Sequence, residues 1–351
     1  MPEPDLATID AAHERALILD VLAGLGAGEQ EATDQADVLV EGDLRGRPSH
    51  GVQRLPVIAE RIRRGLIRPR AEPAERWTAE AMLSVDGGDG FGPRVAFGAA
   101  AAISERAKRT GVAVAAVRRA SHLGMLAVYV ERIAGAGQVG LALTTSEALV
   151  HPWGGRVALV GTNPIAVAMP AGAEPFVLDM ATGAISKGEV IARGLRGEPL
   201  PTGAAVDAQG RPTTDPAAAA AGAISPFGGA KGFALGLAIE LIVATLTETA
   251  LGDEVRGTLD VTDPVTKGDV LIAIDPGASG VAPFGDRLGE YLDGLKASPP
   301  APGTNGVVIP GERARAERGR RLADGIPLPA TLWRELSELR RRIEEEASAR
   351  A

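Results

Sequence analysis

Residues 129–145 read YVERIAGAGQVGLALTT. Gly135, Gly137 and Gly140 fit the G-x-G-x-x-G spacing of a dinucleotide-binding turn. That turn needs a strand before the glycines and a helix after them, because the pyrophosphate rests on the helix N-terminus. Here the order is inverted. Helix-like YVERIA precedes the glycines and strand-like VGLALTT follows them. The stretch predicts a helix C-terminus, a turn and a strand, which sets the Rossmann reading aside.

Working outward, short strands alternate with helices. The pattern is strand-like over 81–85, 112–117, 139–144, 165–169, 176–179, 270–274 and 306–309. Helices are predicted over 93–109, where Pro93 opens the first turn, and over 125–136. A nearly all-apolar helix over 232–251 reads as buried. The first 44 residues read as two helices, 5–22 and 33–44, broken by Gly24, Gly26 and Gly28. A third helix is expected from Ser49, as N-cap, to about 64, with Gly65 as its stop. The tail from Pro329 is a charged helix, most simply a solvated face. The fold class is α/β, with no internal repeat and a loop-rich middle over 150–230.

Composition removes whole classes of chemistry. The 351 residues include no cysteine, which excludes disulfides, thiolate nucleophiles and Cys-ligated metals. Four histidines remain: His13, His50, His122 and His151. Lys and Arg number 37 against 45 Asp and Glu, a net charge of -8, which argues against a nucleic-acid partner. The N-terminus lacks the basic start and apolar run of a signal peptide. The longest apolar stretches read as too short to span a bilayer. The expectation is a cytoplasmic protein with no membrane partner.

Four constellations carry chemical content. In DLRGRPSHGVQR (43–54), His50 and Arg54 stand four apart and would share a face of the expected helix. An imidazole and a guanidinium so placed can hold a small carboxylate, the guanidinium as a bidentate fork. The same spacing also suits a surface helix with a capping histidine. In ASHLG (120–124), His122 follows a strand, at the end where α/β sites form. A histidine there suits general acid–base work, and equally a ring satisfied by backbone. GGAKGF (228–233) puts Lys231 at the start of the apolar helix, where backbone N–H groups attract anions. GTNP (161–164) and LDMAT (178–182) are turn and strand-end segments that spacing alone leaves open. P-loop, H-E-x-x-H and G-x-S-x-G motifs are absent from the sequence. His13 and His151 have no evident partners and read as structural.

Taken in order, DLRGRPSHGVQRL, SHLG, PWGG…GTNPIAVAMP, FVLDMATG, PTTDP, GGAKGFALGLAIELI and PAPGTNG…PGE resemble the malate/L-lactate dehydrogenase family of NAD(P)-dependent 2-hydroxyacid oxidoreductases. These segments span about 40–325. The resemblance implies a non-Rossmann dinucleotide-binding domain with flanking helical segments, and a homodimer. It implies a helical segment 1–72 with the substrate motif, a cofactor-binding and catalytic region 73–300, and a C-terminal helical segment 301–351 packing back on the N-terminal part. Carried over by motif, His122 is the general acid/base, and Ser49, His50 and Arg54 bind the substrate, with His50 and Arg54 also in the catalytic set. Ser146, Thr162, Asn163, Asp179, Met180, Ala181 and Lys231 fall on cofactor-side positions, for NAD or NADP. No metal is implied. The implied reaction is hydride transfer between NAD(P) and a small 2-hydroxy or 2-oxo acid. The alternatives are reduction of a cyclic-imine carboxylate and a non-catalytic nucleotide-binding protein on the same scaffold. Many members carry Asn two residues before the catalytic His and an aromatic after it; this chain has Ala120 and Leu123. The stretch 250–268 matches the family poorly.

Overall fold

The computed structural model describes residues 5–280 and 285–349. The chain opens with β1 (Leu6–Ile9), α1 (Ala11–Gly24), α2 (Glu29–Leu44) and α3 (Leu55–Arg63). Next come β2 (Ala74–Ala79), β3 (Met82–Gly90), α4 (Gly92–Thr110), β4 (Val112–Ala120), α5 (Ala127–Gly135) and β5 (Val139–Thr144). Short β6 (Ala148–Val150) and β7 (Val160–Gly161) precede β8 (Ile165–Met169) and β9 (Phe176–Met180). Then follow α6 (Lys187–Arg196), β10 (Ala205–Val206), β11 (Pro212–Thr213), α7 (Pro216–Ala220) and β12 (Ala223–Ile224). The chain closes with α8 (Ala230–Thr247), β13 (Gly268–Ile274), α9 (Gly285–Lys296), α10 (Glu312–Asp324), β14 (Ile326–Pro329) and α11 (Ala330–Ser348).

The main sheet has the order β2-β3-β4-β13-β5-β8-β9. Its one parallel pair is β3 and β4, with α4 as the crossover such a pair needs. β13 lies between β4 and β5, antiparallel to both. This is an α/β fold without a Rossmann sheet, as the inverted glycine stretch predicts. Gly137 turns the chain at φ +83°. Gly140 lets β5 lie against α5, since a Cβ there would stand 2.9 Å from the Val130 carbonyl oxygen. Alternation along β13 serves both faces. Leu271 and Ala273 pack with Ile103 of α4 and Ile133 of α5, while Val270 packs with Ile239 and Val243 of α8. The short strands form a second sheet, β11-β10-β12-β6-β7.

The chain ends meet. β1 pairs antiparallel with β14, Ile9 opposite Ile326. Leu336, Leu339 and Ile343 of α11 enter one core with Leu17, Ile18 and Leu22 of α1. The charged tail therefore hides an apolar stripe rather than being solvated all round.

Other expectations change. The predicted helix 5–22 begins with a strand, because Leu6–Ile9 finds β14 as a partner from the far end of the chain. The predicted strand 306–309 is not formed. α8 is not fully buried: Leu235, Leu241, Ile242 and Leu246 are exposed. By length and composition alone α8 could cross a membrane, contrary to the expectation that such stretches are too short. It is nonetheless tied into the fold through buried Glu240, whose carboxylate accepts from Asn163 Nδ2 at 2.6 Å and from Gly252 N at 2.7 Å.

Candidate active site

The substrate motif lies between α2 and α3, but not on a helix running from Ser49. Two 3-10 turns, Pro48–His50 and Val52–Arg54, precede α3. Gly51 is extended, φ -96° and ψ -159°, and separates them. Ser49 is thus no N-cap, and its Oγ lies 3.0 Å from His50 Nδ1. The turn bends back on itself, so Arg54 still acts electrostatically on His50.

His122 sits in the crossing from β4 to α5, and glycines fix that crossing. Ser121 Oγ accepts from Gly92 N at 2.8 Å, at the start of α4. A Cβ on Gly92 would meet the Ser121 carbonyl oxygen at 2.3 Å, so only glycine admits the loop. Gly124, at φ +75°, presses against Val38 of α2. The backbone N–H of Gly124 donates to His122 Nδ1 at 3.0 Å. In the neutral ring this leaves the proton on Nε2.

The two imidazoles meet. Their centroids are 5.5 Å apart and their planes inclined by 38°. Burial, then the Arg54 and Arg47 charges, push the His50 pKa down to about 4. Burial, then Arg54, His50 and Lys267, hold His122 well below the ordinary histidine value. Both rings are therefore neutral at neutral pH. His13 instead stacks edge-on with Trp333 at 5.3 Å, and His151 Nδ1 pairs with the Pro152 carbonyl at 2.9 Å. Each thus has a partner that the sequence did not reveal.

Several neighbours escaped the sequence reading. The Arg54 guanidinium donates to the Thr258 carbonyl. Glu147 Oε1 accepts from Thr258 N at 2.7 Å and Leu259 N at 2.9 Å, and its charge opposes that of Arg54. Arg61 Nη1 donates to the Asp260 carbonyl at 2.8 Å. These bonds seat 257–263 over the substrate turn. Behind His122, Lys267 Nζ is bound by both oxygens of Asp269, at 2.6 and 2.5 Å, and both residues are buried. Lys267 immediately precedes β13 and Asp269 is its second residue, so the pair is local in sequence.

The cofactor-side positions converge at the ends of β5, β7 and β9. Ser146 Oγ accepts from Thr162 N at 2.9 Å, and Thr182 N donates to the Thr162 carbonyl at 2.7 Å. Asn163 is fully buried; its Nδ2 donates to Glu240 and to the Gly236 carbonyl, and its Oδ1 accepts from Ser146 N. Asn163 therefore braces this corner, with both amide hydrogens engaged within the protein. Asp179 Oδ2 accepts from Ala127 N at 2.8 Å and caps α5; burial raises its pKa. Met180 ends β9, and Ala181 beyond it is exposed. Lys231 is exposed in the first turn of α8, after Gly228 and Gly229 with φ +59° and +67°. Two glycines in that backbone region, a free helix start and a lysine form a cradle that suits a phosphate group. Among the described residues no cluster of metal-binding side chains occurs.

The sequence profile described as malate/L-lactate dehydrogenase matches residues 9–337. Malate/(S)-sulfolactate dehydrogenase of Methanothermus fervidus is 35% identical over 332 residues, 94% of this chain and 96% of that protein. Delta(1)-pyrroline-2-carboxylate reductase 2 of Burkholderia multivorans is 35% identical over 346 residues, 97% of this chain and 99% of that protein. The crystal structure of sulfolactate dehydrogenase from Methanocaldococcus jannaschii superposes with a TM-score of 0.91 at 36% identity, covering 96% of this chain and 98% of that one.

Proposed function

Since the chain belongs to the malate/L-lactate dehydrogenase family and is a nicotinamide-dependent 2-hydroxyacid oxidoreductase, we propose the following division of labour at its site. Arg54 leaves the Thr258 carbonyl and grips the substrate carboxylate with its planar fork. A bound nicotinamide would supply the hydride acceptor, or donor, for C2 of the acid. His122 donates Nε2–H to the C2 oxygen and holds it in place. His50 takes the hydroxyl proton on Nε2 in the oxidation direction, while Ser49 Oγ accepts from its Nδ1–H, and returns that proton in reduction.

The observation that carries this division is the Gly124 hydrogen bond to His122 Nδ1. Proton transfer at Nε2 of His122 would leave a proton on Nδ1, facing the Gly124 N–H. The motif resemblance gives His122 the proton and His50 the oxygen; the hydrogen bonds favour the exchange of these roles. Ser146, Thr162, Ala181 and Lys231 hold the dinucleotide, while Asn163 and Asp179 brace the elements around it. The same reading divides the chain near residues 72 and 300, with the site where the parts meet. It also includes a homodimer, supported by the exposed apolar residues of α8 and testable by sedimentation.

Turnover of NADH or NADPH with a panel of 2-oxo acids, including sulfopyruvate and oxaloacetate, tests the reaction. A cyclic-imine carboxylate belongs in the same panel, because a pyrroline-carboxylate reductase matches this chain at the same 35% identity. Turnover of the imine alone overturns the 2-hydroxyacid assignment.

A further inference from the structure

Beneath the substrate turn lie two carboxyl groups that the mechanism does not use. Glu14 of α1 is fully buried, and Asp43 near the end of α2 is 1% exposed. Asp43 holds the turn by its backbone. Its Oδ2 accepts from Val52 N at 2.5 Å. A Cβ on Gly51 would lie 2.1 Å from both carboxylate oxygens, so the Gly51 backbone rests directly on the carboxylate. A Cβ on Gly42 would likewise stand 2.6 Å from the His50 carbonyl oxygen. From the other side, Arg321 of α10 donates to the Asp43 carbonyl at 2.7 Å.

Glu14 completes the arrangement. Neither of its oxygens has a donor among the described residues if both carboxyls are ionised. The two groups are within hydrogen-bonding reach of each other, and two carboxylates in contact cannot both be charged in a buried site. One must carry a proton. Burial and Asp43 push the Glu14 pKa up to about 10, and burial pushes Asp43 up to about 6. Arg321 is the cation facing the pair. The proton therefore belongs to Glu14, which donates to ionised Asp43, which in turn accepts from Val52.

We infer that Glu14 and Asp43 are positioning residues for acid binding: a hydrogen-bonded pair of buried carboxyls that sets the backbone of the turn carrying His50 and Arg54. The inference rests on the assignment of His50 and Arg54 to the substrate. It adds two residues, one of them 36 positions upstream of His50, to the determinants of the acid site.

Hydrogen–deuterium exchange over residues 46–55, read beside steady-state kinetics, tests it. Glu14→Leu keeps the bulk and removes the donor. Exchange in the turn should rise, and KM for the acid should rise about tenfold, the worth of a hydrogen bond to a charged group. The dissociation constant for NADH or NADPH should stay unchanged. Glu14→Gln, whose amide can donate to Asp43, should restore both readings, which a merely space-filling role for Glu14 would not require. Should Glu14→Leu fail to fold, Gly51→Ala probes the same contact. Alanine tolerates the extended backbone at 51, but its Cβ would force the turn off Asp43. Unchanged exchange and KM in the folded variants overturn the inference. Raised exchange with unchanged KM overturns instead the placing of the acid on His50 and Arg54.

Discussion

The imidazoles of His50 and His122 lie 5.5 Å apart, centre to centre, yet their Nδ1 atoms have different partners. His122 Nδ1 meets a backbone N–H, which can only donate. His50 Nδ1 meets the Ser49 hydroxyl, which can donate or accept. One ring is thus locked in a single neutral tautomer and the other can change. Burial and the same arginine keep both neutral, so their chemical difference comes from these partners rather than from their pKa values.

The two histidines should therefore fail differently when replaced. His50→Ala should lose about 10²–10⁴ in kcat, the usual worth of a positioned acid–base. His50→Asn should recover little, since an amide carries no proton to the oxygen. His122→Ala should lose about 10²–10³, the worth of one donor on a developing oxyanion. His122→Asn should recover part of that loss. Rapid-mix measurement of hydride transfer reads all four. The reverse pattern, with His122→Asn dead and His50→Asn active, returns the proton to His122.

The segments that build the candidate site stand out in the sequence, and their wiring does not. His50, Arg54, His122 and Ser146 could be singled out as candidates because their motifs are local. The inverted order around Gly135 and Gly137 was enough to exclude a parallel dinucleotide sheet, because strand and helix periodicities are local too. The helix expected from Ser49 was wrong because Pro48 and Gly51 outweigh the apolar spacing that follows. Asn163 lies in a local motif turn, but its bond to Glu240, 77 positions later, comes only from the fold. Leu6–Ile9 reads as helix because its strand partner lies more than 300 residues away. Glu147 and Glu14 were invisible for the same reason: each acts on a residue that only the fold brings near.

The pH profiles of kcat/KM and kcat should separate in the oxidation direction. The base must be unprotonated, so both fall as pH falls. In the free enzyme Arg54 and Arg47 help to depress the His50 pKa to about 4, and kcat/KM should lose activity only near that pH. A carboxylate bound to Arg54 offsets that charge, so His50 in the complex holds its proton more tightly. The acid limb of kcat should lie at higher pH than that of kcat/KM. Coincident limbs would mean that the carboxylate does not sit on Arg54.

Arg54→Lys should raise KM for the acid about tenfold or more, since lysine cannot form the bidentate fork. The cofactor dissociation constant should remain as it was, because Arg54 touches the Thr258 carbonyl and the histidine side of the site. Fluorescence titration with NADH and a KM series measure the two effects separately. A change in cofactor affinity with unchanged KM would move Arg54 out of the acid site.

The Lys267–Asp269 pair offers a test in stability. Its ammonium and carboxylate are 3% and 1% exposed, with Nζ within 2.6 Å of both oxygens. Each charge was stripped of water on folding, and only its partner offsets that cost. Lys267→Met leaves Asp269 buried and uncompensated, which should cost about 3–5 kcal/mol. The double variant Lys267→Met, Asp269→Leu removes both charges and should recover most of the loss, because an apolar replacement of a whole buried pair is often neutral or better. The lysine also helps to lower the His122 pKa. In the double variant that pKa should rise, and NMR titration of the His122 ring reads it directly. Urea midpoints for wild type and both variants give the stability order. If the single variant is as stable as the double, the pair is not held dry, and the charge beside His122 comes from elsewhere.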